Sequence, residues 1–161
     1  MTVYEKSTLI LQAVVAVSAF VSVYLVLRQL RAMSVQIEAT QHASEAQSII
    51  SIVNFLQTAE ARDARTAVRS TLSKSHHDAW DETQKRDAAS VCANYDVVAA
   101  LLKAGLIRNK HVIVDNWAPS IKHCHQVLSP FIDAKRRAPG SDPKYWNNFD
   151  WLKAECDQRR A

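Results

Sequence analysis

Glycine is nearly missing from this chain: Gly105 and Gly140 are the only two in 161 residues, and proline occurs four times. So few breakers exclude a turn-rich β architecture and point to long helices. Phosphate-cradling loops need several glycines, and neither GxxxxGK[ST] nor GxGxxG occurs. HExxH and GxSxG are absent as well, which excludes the zinc-protease helix and the nucleophile elbow in their usual forms. Cysteine is scarce and odd in number. Cys92, Cys124 and Cys156 form neither a disulfide framework nor a CxxC metal pair, and read as apolar-face thiols. Charge of one sign is lacking too. The formal net charge of +4 is spread over interleaved acidic and basic residues, so no nucleic-acid partner is expected.

What the chain does have is one long apolar run. Between Lys6 and Arg28, residues 7–27, with Ser7 and Leu27 as the ends, carry no charge. As a helix they would measure roughly 31 Å, close to the ~30 Å hydrocarbon core of a bilayer. Gln12, Ser18 and Ser22 are mild polar residues that a helix satisfies with its own backbone. Tyr4 and Tyr24 lie near the ends, where aromatic rings suit lipid headgroups. Cleavage at Val17-Ser18-Ala19 would leave an apolar stump, so an uncleaved anchor is expected rather than a signal peptide. Arg28 and Arg31 follow the run, while Lys6 before it is offset by Glu5. The expectation is a single-pass protein of the bacterial inner membrane, N-terminus outside and C-terminal domain cytoplasmic, with the lipid bilayer as a partner through residues 7–27.

Residues 29–72 contain no Pro or Gly and are expected to continue as helix. Within 34–48 Ile37 is almost the only apolar side chain, which reads as an exposed stalk. From there Ile49, Val53, Leu56, Ala64 and Val68 form an apolar stripe at helical spacing, up to a break at SKSHHD, residues 73–78. A second helix runs from about Asp78 or Asp81 to Ala104, with the stripe Ala88, Val91, Tyr95, Val98 and Leu102 and a left-handed cap at Gly105. The third, about 110–137, carries Val114, Trp117, Ile121, Cys124, Leu128 and Ile132, and Pro119 must kink it or mark a fresh start. PGSDP at 139–143 ends it, and Asp142 with Pro143 should open a last helix lined by Trp146, Phe149, Leu152 and Cys156. The expected fold is all-α: an anchor and tail over 1–28, a stalk over 29–48, a cytoplasmic bundle of about four helices over 49–158, and a tail at 159–161.

Chemistry is harder to find. On a helix His123 and His125 project about 200° apart and cannot share an ion, leaving Cys124 between them on the apolar stripe. His76-His77-Asp78 reads as a polar turn, and His111 with Asp115 at i, i+4 lacks further ligands. No catalytic residue, cofactor or metal site is assigned. Arg62, Arg65 and Arg69 fall within about 60° of one helix face. They are expected to pair with carboxylates such as Asp96, to be solvated, or to offer a docking face. Lys135, Arg136 and Arg137 suit the negative end of the third helix's dipole.

Taken in order, the leading helix, EARDARTAV (60–68), VCANYDVVAALLKAGLI (91–107), Trp117, LSPFIDAKRR (128–137) and YW…FDWL resemble the bacterial family of domain of unknown function 4760. That resemblance implies a small single-pass membrane protein with a cytoplasmic helical domain, and no activity or cofactor. By analogy Arg62, Arg65, Asp96, Gly105, Trp117 and Arg136 are fold-defining, and Pro119 departs from the pattern. The functional expectation is a non-enzymatic interaction or accessory-subunit module, its partner a membrane protein or a second copy. Two alternatives stand beside it. One is a metal- or thiol-dependent enzyme or sensor using His76, His77, His111, Cys92 or Cys124. The other is a spacer that self-associates through residues 29–72.

Overall fold

The computed structural model describes the backbone of residues 3–107 and 109–158, and the side chains among them at 15 and from 17 onward. Five α-helices follow one another: α1 (Val3–Gln57), α2 (Ala59–Ser70), α3 (Glu82–Lys103), α4 (His111–Arg137) and α5 (Asn147–Gln158). Single 3-10 turns at Leu72–Lys74 and His77–Ala79 link α2 to α3, and no strand occurs among the described residues. The all-α expectation holds. The chain divides into two compact units, Met1–Ser44 and Glu45–Ala161.

In the first unit every described side chain is exposed. Ser18 and Ser22 donate their hydroxyls to the carbonyls of Val15 (2.9 Å) and Ser18 (2.8 Å), the backbone satisfaction anticipated for them. The membrane anchor itself must be corrected. Among the described residues no helix is long and apolar enough to cross a membrane. The side chains of residues 7–14 and of 16 lie outside the described ones. The transmembrane helix, the single-pass inner-membrane location and the topology drawn from it are therefore not supported.

The second unit has the core. α3 packs against α2 and α5, and α4 against α5 and α2. The stripes read from periodicity are the ones that meet. Ala88, Val91, Tyr95, Val98 and Leu102 of α3 are buried, as are Val114, Ile121, Cys124, Leu128 and Ile132 of α4. Phe149, Leu152 and Cys156 of α5 join them, with Leu56, Ala64 and Val68 from the preceding helices. Tyr95 stacks on Phe149 at 5.1 Å between ring centroids, and Trp80 meets Phe131 at 5.6 Å.

Local chemistry sets the helix ends. The expected unbroken helix to residue 72 stops at Thr58 without glycine or proline. Thr58 turns extended (φ −54°, ψ 148°) and its hydroxyl accepts from the Ala61 N–H at 3.4 Å, capping α2. Asp81 and Gln84 form a reciprocal capping box at the start of α3. Gly105 takes φ +72°, the left-handed conformation that ends this helix. Pro119 neither divides α4 nor stands alone, since Pro130 also lies inside the one continuous helix.

The start of α5 differs from expectation. Asp142 accepts from the Lys144 N–H (2.8 Å) within a turn, and the helix begins only at Asn147. Its N-cap comes from another helix. The Asp96 carboxylate of α3 accepts from the backbone N–H of Asn148 (2.8 Å) and Phe149 (3.2 Å), and from Asn148 Nδ2 (3.2 Å). Trp146, at φ 55°, turns the chain into this position.

Asp96→Ala should cost about 0.5–2 kcal/mol, the usual value of a lost N-cap. Leu128→Ala, a fully buried site, should cost about 2–5 kcal/mol. Leu106→Ala, 60% exposed, should stay within ~0.5 kcal/mol of the parent, all three free energies being read from urea titrations.

Candidate functional site

Within the second unit, the last turns of α1, Arg69 near the end of α2 and the first half of α4 line an open cleft of about 460 Å³, its walls being Val53, Gln57, Arg69, Asn116, Trp117, Pro119 and Ser120. α2 is responsible for its charge. The break at Thr58 gives this helix its own inward face, Ala61, Ala64, Arg65 and Val68. Arg62 and Arg69 flank Arg65 on the exposed side.

Arg65 is only 6% exposed. Its guanidinium carbon lies 4.9 Å from the centroid of the Trp117 ring, and its Nη1 is buried with no hydrogen-bond partner. Arg69 donates through Nη2 to the Ser120 hydroxyl, which also bonds the Tyr95 hydroxyl at 2.7 Å. None of Arg62, Arg65 and Arg69 has a carboxylate within ion-pair distance among the described residues. Burial lowers the Arg65 pKa, and the positive charges of Arg69 and Arg62 push the same way. Burial raises Tyr95, which stays a neutral hydroxyl. Of these groups, Arg69, the Ser120 hydroxyl and the Trp117 ring line the cleft, while Arg65 is buried against Trp117 and Arg62 is exposed.

The other sequence candidates are placed as follows. Asp96 does not meet the arginines, because its carboxylate caps α5. Trp117 lies under Arg65, and Gly105 closes α3. Arg136 donates from Nε to the Tyr145 carbonyl (2.8 Å) and from Nη2 to Asp150 (2.7 Å), whose other oxygen meets His125 Nε2 at 2.8 Å. His123 is exposed and apart from that network. His111 and Asp115 line a second cleft with Lys110, Glu155 and Gln158. His76, His77 and Asp78 do come together, with one donor atom of each within 4.8 Å of the others.

Sequence reasoning missed Ser120 and the polar end of Tyr95. The available signal was a serine one helical turn before Cys124 on an otherwise apolar stripe. All three cysteines are buried and unpaired, and burial raises their pKa values, Cys156 to about 11. This is the reverse of what an activated thiol requires.

Two expectations follow. Arg65→Met should leave the urea-unfolding free energy within ~1 kcal/mol of the parent or raise it, since it removes a buried charge that no carboxylate meets. The thiols are held un-ionised in the fold, whereas an unfolded thiol ionises near ~8.5. Their contribution to stability is thus complete below that pH and falls as pH rises through about 11 for Cys156. Unfolding midpoints taken at neutral and strongly alkaline pH should show the loss, and a Cys156→Ala variant should show less of it.

The comparisons with known proteins agree with the resemblance drawn from the motifs. The family described as domain of unknown function (DUF4760) matches residues 12–156. No curated protein and no solved structure matches the chain. With the match covering nearly the whole sequence, the chain belongs to the DUF4760 family.

Proposed function

We propose that the protein is a non-enzymatic interaction module, and that its Glu45–Ala161 unit docks a carboxylate-bearing segment of a partner protein in the cleft lined by Arg69 and Trp117. The observation that carries this reading is Arg65, buried to 6% exposure with Nη1 unpartnered and packed on Trp117, whose ring lines the cleft beside Arg69. A solitary buried cation is unfavourable in the free protein, and an incoming carboxylate would supply the missing partner. Arg69, exposed and held by Ser120, would meet the ligand first; the Trp117 face and Val53 would take its apolar part. Charge complementarity favours an acidic peptide over a neutral one, and the mixed polar and apolar lining suits a short segment with an acidic anchor.

A fluorescent glutamate-rich peptide titrated with the full chain provides the test. Binding should weaken as salt rises. It should fall at least ~10-fold in Arg69→Ala and in Arg65→Met, each loss equivalent to about 1.4 kcal/mol. Binding of equal strength by both variants, or by a charge-matched control with Lys85→Ala away from the cleft reduced just as much, would contradict the reading.

A further inference from the structure

Between α2 and α3 the chain makes a short link that is better fixed than its polar sequence suggests. The Trp80 indole N–H donates to the Ser75 carbonyl at 3.2 Å, closing residues 75–80 into a loop. Trp80 is buried against Phe131, and the His77 ring stands edge-on to Trp80 at 6.3 Å. The tryptophan thus anchors the loop to the core while His76 and Asp78 project from it, with side chains 64% and 80% exposed.

On this frame both imidazoles turn to one carboxylate. His76 Nδ1 lies 3.0 Å from Asp78 Oδ2, and His77 Nε2 lies 3.3 Å from Asp78 Oδ1. His77 Nδ1 is buried with no partner, which leaves Nε2 as the nitrogen of that ring available to a ligand. One donor from each of the three residues falls within 4.8 Å of the other two. A tetrahedral ion with bonds of about 2.0–2.1 Å holds neighbouring donors ~3.3 Å apart, and each imidazole stands at about that distance from Asp78, His76 from Oδ2 and His77 from Oδ1. The exposed His76 ring and Asp78 carboxylate have room to turn, so that one oxygen and both imidazoles can meet a single ion.

We propose that His76, His77 and Asp78 bind one divalent transition-metal ion of the zinc class, through the two imidazoles and a carboxylate oxygen. Its fourth position faces solvent. Two nitrogens and one oxygen fit zinc; magnesium and calcium prefer oxygen-only shells, so the site discriminates against them. The ion would replace the contacts that now join the imidazoles to Asp78, and would lock the loop that leads into α3. This site is separate from the arginine cleft and stands whether or not that cleft binds an acidic segment.

The test is calorimetric titration of the chelator-treated full chain with zinc alone at neutral pH. One equivalent should bind and raise the melting temperature, while magnesium should do neither. His76→Ala and Asp78→Asn should each lower the zinc affinity at least ~10-fold. Both side chains are exposed, so circular dichroism should show their helix content unchanged. No zinc uptake by the parent chain overturns the proposal, as does full affinity in either variant.

Discussion

A guanidinium taken out of water must recover its lost hydration from partners inside the protein, and Arg65 recovers only part of it. The face of Trp117 offers a cation–π contact of about 0.5–2 kcal/mol, while Nη1 has no acceptor and the nearest charges, on Arg69 and Arg62, are of the same sign. The surrounding structure holds this arrangement in place. Thr58 ends α1 so that α2 can start with its own inward face, and that face places Arg65 over α4. α4 presents Trp117 below the guanidinium and Ser120 beside Arg69, with Tyr95 of α3 bonded to the same serine from within the core.

The same unit shows what charge pairing looks like where it is complete. At the joint of α4 and α5, Asp150 receives both Arg136 and His125, and Lys110 reaches Glu155 at 2.6 Å. Hydrogen bonds from Lys122, then Lys153, hold the Asp157 carboxyl down to about 2. Asp96 is committed to the first N–H groups of α5. These acids join helices, whereas Arg69 of α2 lines its cleft and Arg65 lies buried against Trp117 without a carboxylate partner among the described residues. The contrast between these matched charges and the unmatched Arg65 supports the proposed docking cleft.

Much of the bundle was legible in the sequence because helical stripes and glycine scarcity are local signals. The stripes of α3, α4 and α5 became the core, and Gly105 takes the left-handed conformation that its position required. What failed depended on distant partners. Asp142-Pro143 carries a helix-start pattern, yet the cap of α5 is Asp96, about fifty residues earlier in the chain and invisible to any local rule. Pro119 and Pro130 ought to interrupt α4, but the apolar side chains around them bury into a continuous core and the helix persists. The arginines were recognised as sharing a face, whereas the absence of an acid opposite them needed the tertiary arrangement. The apolar run near the N-terminus suggested a span, and no helix among the described residues is long and apolar enough to be one.

The account rests on Arg65 being the group that an acidic ligand completes. Guanidinium NMR of the full chain, observed on the arginine Nε and Nη resonances as glutamate-rich peptide is added, reports on that group directly. The account predicts that Arg65 and Arg69 shift together and saturably, and that hindered rotation appears at Arg65 as its free Nη1 gains an acceptor. If only the exposed arginines respond, or all respond weakly in proportion to ionic strength while Arg65 stays unchanged, the buried cation is a structural feature and the docking cleft is not its purpose.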